Sequence, residues 1–361
     1  MTALPPVTEA AKLLQCGPRD ECLSVYDTIV RPAERDALDS KAPDSKASLI
    51  AARVVGYLLL YPPSPAARRT LVEEIRSCSR EDDPSQTIYR LGQMYIRHLL
   101  LIFKQLRGDT PIPSEDASRP SFDRLMSGFL DDPQRVPRDH SSAKAAALVR
   151  DNYRCMITGR YDEAAVDAGL VQSIEQGASW GTTQCFHIFP DSRGVIQSAA
   201  SGAKESEAAA VCAILERFGY KDICEEIGIT SSGAELHRLE NVMTLDTSVH
   251  MRFDNMKLWL EAEPDQPNCY TVCHPPGTAS LFVDTLPRRV QFLSHRADLP
   301  LPNPRYLHIH ATCCRIAHMS GAAEYLDHIL RDMEEARVLA EDGGDAEKLS
   351  VLLHNRLPNA V

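Results

Sequence analysis

Residues 240–255, ENVMTLDTSVHMRFDN, hold three side chains whose types and spacing suit one kind of chemistry. Asn241 stands just before a β-prone run, Val242-Met243-Thr244-Leu245; His250 follows nine residues after it and Asp254 four residues later again. Asp246-Thr247-Ser248 reads as a helix start. That start places His250 and Asp254 one turn apart on one face, where an imidazole and a carboxylate can bind one divalent ion. Upstream, TTQCFHIFP (182–190) clusters aromatic and β-branched residues before Pro190 and reads as a strand bearing His187. Phosphodiester hydrolysis needs a base near the attacking water and an ion beside the scissile phosphate. His187 can be that base, Asn241 can fix the backbone that aims it, and the helix can supply the ligands. Taken singly the residues have plainer uses: a satisfied core His at 187, a turn cap at Asn241, a solvated helix carboxylate at Asp254.

The elements that must position these groups fall into three stretches. Residues 1–140 read as helices joined by Pro-rich loops: SKASLIAARVVGYLLLY stopping at Pro62-Pro63, then PAARRTLVEEIRSCS, then PSQTIYRLGQMYIRHLLLIFKQLRG closed by Gly108. Their apolar faces call for a helical bundle or a helical layer on the next unit. The stretch 108–121 is a loop by composition, and the acidic clusters EDDPS and DDPQR read as loops and helix starts. From about 141, SSAKAAALVRDNY reads as a helix, RCMITG as a short strand or turn closed by Gly159, and SEAAAVCAILERFGY (206–220) as a helix inserted between the His187 strand and Asn241. MKLWLEAE, CYTVCHP and RRVQFLSH read as strands. Residues 310–344 read as one long helix or two in sequence, ended by Gly343-Gly344.

VRDNYRCMITG, CFHIFP and ENVMTLDTSVHMRFDNMKLWLEA, in that order, resemble the HNH nuclease family, and most of all its fungal branch, where a Cys-x-x-Thr-Gly turn precedes a His-Ile segment and an Asn…His-x-x-x-Asp segment. The tail RIAHMSGAAEYLDHILRDMEEARVLAEDGG looks like the C-terminal extension of HNH-type proteins of mushroom-forming fungi. The resemblance implies an α+β protein: a helical N-terminal region (1–140), a central ββα-metal core (141–262), and a C-terminal extension of strands and a long helix (263–361). It implies His187 as general base, Asn241 as the central Asn, and His250 with Asp254 as ligands of a divalent ion, Mg²⁺ first, with Mn²⁺ or Zn²⁺ as alternatives. Arg252 or Arg154 would steady the phosphate. Two departures are visible. Phe186 stands where many members carry an Asp or His ligand, and Cys155 is followed by Thr158 where zinc-binding members carry a second Cys.

The bulk numbers set the limits of this reading. A net charge of −11 disfavours nonspecific binding of nucleic acid, and residues 141–262 hold eleven Lys and Arg against seventeen Asp and Glu. Local groups such as Arg150, Arg154 and Arg160 can still supply a basic footprint. The eleven Cys are odd in number and irregular in spacing, and MTALPPVTEA lacks a signal peptide's basic region and apolar run. The expectation is an intracellular chain, cytoplasmic or nuclear, with buried thiols. Its longest apolar run, VVGYLLLY, is too short to span a bilayer, so no membrane partner is expected. Cys269 and Cys273 share a strand face without a second ligand pair and read as buried thiols, Cys313-Cys314 as helix-core residues, and His308, His310 and His318 as surface or interface groups. Two functions of different class follow. One is metal-dependent endonucleolytic hydrolysis of nucleic acid. The other is an HNH scaffold without nuclease activity, recruited for small-molecule binding or biosynthetic catalysis, a use that Phe186 and the acidic balance favour.

Overall fold

The computed structural model describes the chain except for residues 16, 18–19, 105–125, 127–136, 172–173, 175–176, 191–200, 229–233, 278–283 and 342–361. The expected loop at 108–121, the helix end at Gly108, the DDPQR cluster and Gly343-Gly344 lie outside the described residues. The protein mixes helices with small sheets, an α+β composition. It divides into two compact units, each made of separated segments: Met1–Lys104, Ser192–Cys224 and Thr312–Val361 in the first, Gln105–Asp191 and Glu225–Ala311 in the second. The insertion between His187 and Asn241 does contain a helix, Ser201–Arg217, and that helix belongs to the first unit.

The first unit is built of helices. Ser45–Leu60 is its core: every residue from Leu49 to Leu60 is buried, as an all-round apolar helix requires. Pro84–Tyr95 crosses it so closely that a Cβ on Gly92 would lie 2.2 Å from the Ala51 carbonyl oxygen, so only glycine fits there. Asp83 caps that helix by accepting a hydrogen bond from Gln86 N at 2.9 Å, the helix start expected for EDDPS. The buried charged groups described in this core are paired. Arg53 meets Glu34 at 2.6 Å, and the buried Lys104 meets Asp327 at 2.8 Å while donating to the Ala323 carbonyl. The C-terminal helical stretch is two helices, Pro304–Ser320, whose residues from Thr312 on belong to this unit, and Ala322–Glu341, parted at Gly321, whose φ of +89° ends the first. Cys313 and Cys314 are buried in it as expected. No helix among the described residues is long and apolar enough to cross a membrane.

The second unit carries the sheets. β1 (Tyr161–Asp162) pairs in parallel with β2 (Trp180–Gly181); β3 (Thr183–His187) pairs antiparallel with β4 (Val242–Asp246); β5 (Trp259–Ala262), β6 (Cys269–Cys273) and β7 (Arg289–Gln291) form an antiparallel sheet. The strands expected from MKLWLEAE, CYTVCHP and RRVQFLSH are these last three. RCMITG is a turn: Gly159 N donates to Cys155 O at 3.0 Å with Gly159 at φ +71°, and Met156 N donates to Thr244 O at 2.9 Å on the edge of β4. Asp139 and Ser142 form a capping box that starts the helix His140–Arg150, which packs on β3 and β4. The helix Thr247–Asp254 follows β4 directly, with Asp246 as its cap.

Arg150 ties these pieces together. It is fully buried, donates to both carboxylate oxygens of Asp151 at 2.7 and 2.9 Å, and donates to the carbonyls of Leu239, Val242 and Pro300. Asp151 in turn accepts from Thr244 N at 3.2 Å. Removing the guanidinium leaves a buried, uncompensated carboxylate and three stranded carbonyls. We expect Arg150→Met to cost about 3–5 kcal/mol in urea unfolding; a loss below about 1 kcal/mol would show that the pair is not what holds the helix to β4.

Candidate functional site

Side chains on a strand alternate between its faces, and β3 sits between two helices, so it divides its residues between two environments. Cys185 packs with Ala143, Ala146 and Ala147 of the helix His140–Arg150, and the His187 ring lies 5.6 Å from the His140 ring on the same helix. Phe186 points the other way. Its ring meets His250 edge-on at 5.4 Å and Phe253 at 5.1 Å, both on the helix Thr247–Asp254. The expectation groups His187 with His250 and Asp254; the β3 ring in contact with His250 is that of Phe186, and His250 is still near enough for its charge to lower the His187 pKa.

On the Phe186 side, His250 and Asp254 do come together, Nε2 to Oδ2 at 3.2 Å across one helical turn. His250 Nδ1 and Asp254 Oδ1 are buried without a hydrogen-bond partner. Buried polar atoms are seldom left so. An imidazole nitrogen and a carboxylate oxygen without hydrogen bonds are donors of the kind a divalent ion uses. Phe186 contributes no donor, which leaves that ion two protein ligands. His310, expected at a surface or interface, is buried instead, stacking on Phe253 at 5.5 Å and meeting Phe186 edge-on at 6.3 Å.

On the other side, His187 Nε2 lies 3.0 Å from His237 Nδ1, so one ring donates and the other accepts. Burial pushes the His187 pKa well below the usual imidazole value, and the charges of His140, His237 and His250 push it the same way. The His140 pKa is lowered as well, by burial first and then by the His237 charge. Both rings are therefore neutral near neutral pH, with lone pairs available. His140, Cys185 and His187 bring their ligand atoms within 4.8 Å of one another.

Asn241 positions this second cluster. Fully buried in the turn before β4, it accepts from Phe189 N at 2.9 Å and donates to Phe189 O at 3.0 Å and Leu236 O at 2.9 Å. Phe189 is two residues past His187, and Leu236 adjoins His237, so one amide fixes the backbone beside both hydrogen-bonded imidazoles. Sequence reasoning found Asn241 and His187 and missed His140 and His237. His140 stands outside the quoted motifs at the first position of its helix, and His237 lies four residues before Asn241, where only the fold makes it a neighbour of His187.

The expected arginines are differently employed. Arg150 is buried and out of reach of any partner. Arg160 pairs with Asp246 at 2.8 Å, and the Arg154 guanidinium lies 4.2 Å over the Tyr161 ring while bonding its hydroxyl. The group expected as a basic footprint is therefore spent on structure. Arg252 is half-buried on the helix that carries His250 and Asp254. Cys155, at the turn, accepts from Thr158 N through its sulfur, and the ten described cysteines are free thiols. Comparison of the chain with known protein families, curated proteins and solved structures finds no match.

Acid titration gives a test of the packing around Phe186. The His310 pKa is lowered from 6.5 to about 4 by burial, against a hydrogen bond to the Phe253 backbone. Between these values the unfolded chain binds a proton that the folded chain does not, so stability falls as pH drops from about 6.5 towards 4. The share from His310 approaches about 3 kcal/mol. His310→Phe keeps the stacking and should flatten that decline in urea unfolding measured at pH 7 and pH 4.5. An undiminished decline would place the acid sensitivity elsewhere.

Proposed function

We propose that the second unit holds an HNH-like ββα core and that its activity is metal-dependent hydrolysis of a phosphodiester in nucleic acid. The observation that carries the reading is the Asn241 clamp: a buried amide, one residue before β4, bonded on both edges to the backbone two residues past His187. Strand, strand and helix follow in the order that the resemblance implies. The helix brings His250 and Asp254 together with unsatisfied atoms, and these two residues would hold the ion. When bound, the ion supplies positive charge beside the scissile phosphate.

His187 acts as the base. In the tautomer that donates from Nε2 to His237, its Nδ1 carries the lone pair. Nδ1 takes a proton from water, the hydroxide attacks phosphorus, and the bond to the leaving oxygen breaks. His237 holds the ring orientation and stabilises the imidazolium by accepting from Nε2. Arg252 is the arginine of the same helix that would steady the phosphate; Arg154 would first have to leave Tyr161.

A second reading has its own observation. Phe186 fills the strand position beside His250 with an apolar ring, and Arg150, Arg154 and Arg160 are engaged within the fold. Both features suit an HNH scaffold that no longer cuts nucleic acid and binds or transforms a small molecule in an aromatic-walled site.

His187→Ala separates the two. We expect it to slow plasmid or oligonucleotide cleavage by about 10² to 10⁴, the usual worth of a positioned base. Equal cleavage by wild type and variant would sink the hydrolytic reading. No cleavage by wild type with Mg²⁺, Mn²⁺ or Zn²⁺ would leave the small-molecule reading in its place.

A further inference from the structure

The His140–Cys185–His187 cluster sets a thiol beside two imidazoles, and the hydrolytic reading uses only one of its members. We propose that this cluster is a second metal site, selective for a thiophilic divalent ion of the zinc class.

Three features of the geometry argue for it. The first is the donor set. Two imidazoles and one thiol suit a borderline ion and suit Mg²⁺ badly. The second is distance. Ligand atoms around a tetrahedral zinc-class ion stand roughly 3.3–3.6 Å apart, given bond lengths of about 2.0–2.3 Å. The three atoms here are already within 4.8 Å of one another, so side-chain rotation of about an ångström closes the shell without moving the backbone. The third is the outer contacts. Metal-bound histidines characteristically give their other ring nitrogen to a fixed partner, which sets the tautomer. Here His187 bonds through Nε2 to His237. His187 therefore has one nitrogen anchored and one left for a ligand bond.

The scaffold holding the three donors is rigid. Cys185 and His187 are two apart on one strand, and β3 is in register with β4 through its whole length. His140 opens a helix that the capping box starts and the Arg150–Asp151 pair anchors at its other end. Binding replaces the Cys185 S–H bond by a sulfur–metal bond, and the proton goes to solvent. The metal is neither oxidised nor reduced. Burial pushes the metal-free Cys185 thiol up to about 12, so the ion's charge must stabilise the thiolate, and uptake releases a proton. Three protein ligands leave a fourth position to water.

One consequence rests on the hydrolytic reading. While His187 Nδ1 is bound to the ion it has no lone pair for water, so occupancy of this site silences the base. The site itself does not depend on that reading.

Cobalt(II) titration of the reduced full-length protein tests the site. We expect one equivalent to produce the tetrahedral ligand-field bands and a thiolate-to-cobalt charge-transfer band, and Zn²⁺ to abolish both by displacement. Cys185→Ser should remove the charge-transfer band. His140→Ala, at the first residue of a helix and hence mild for folding, should weaken Co²⁺ binding at least 10-fold. His250→Ala should leave the band in place. Absence of the band in wild type, its persistence in Cys185→Ser, or unchanged affinity in His140→Ala would each overturn the proposal. The His140 variant decides alone where Cys185→Ser does not fold. A cobalt band without any cleavage would sink only the hydrolytic reading, and His187-dependent cleavage without the band would sink only this site.

Discussion

A guanidinium that is fully buried must be given hydrogen bonds to all its donors, and Arg150 finds them in the carboxylate beside it and in three carbonyls from distant parts of the second unit. Desolvating such a pair costs several kcal/mol, and only dense, well-directed bonding offsets that cost. The demand is met by bringing the end of one helix to residues 239, 242 and 300, and Asp151 extends it to Thr244 N on β4. Asn241 sits between two of those anchored carbonyls. The amide that aims His187 is therefore held in place by an ion pair belonging to a neighbouring helix.

The same restraint decides what the histidines can do. With β4 fixed and β3 in register on it, Cys185 and His187 are directed at the helix that begins with His140, and Phe186 at the helix that carries His250. The two faces of one strand therefore offer donors of different chemistry. The Phe186 face offers a carboxylate and an imidazole within aromatic walls; the His187 face offers imidazoles and a thiol.

Charge also has a fixed allocation in this unit. Arg150 and Arg160 are bound to Asp151 and Asp246, and Arg154 to the Tyr161 ring. These contacts order the Cys155–Gly159 turn, the start of the helix after β4 and the helix before the turn. Among the described residues, Arg150, Arg154 and Arg160 make no continuous basic surface of the kind that steers DNA.

Much of this was legible in the sequence because it rests on local physics. The helix starts at Pro65 and Pro84, the strands at 183–187 and 269–273, and the turn at Gly159 follow from Pro and Gly punctuation, β-branched runs and capping residues. The i, i+4 pair of His250 and Asp254 is a property of any helix, and it formed. The face on which each β3 residue would land was also implicit in the period of two, yet assigning a helix to each face needed the packing. His140 and His237 could not be found from spacing, since they reach His187 across 47 and 50 residues of chain and through a fold that assigns the intervening helix Ser201–Arg217 to the other unit. The burial of His310 and Arg150 likewise came from tertiary contacts, where the neighbours that remove water decide whether a charge can exist. Sequence by itself determined the elements and the pairs within one element; only the tertiary structure decided which side chains meet, because that depends on what packs against each face.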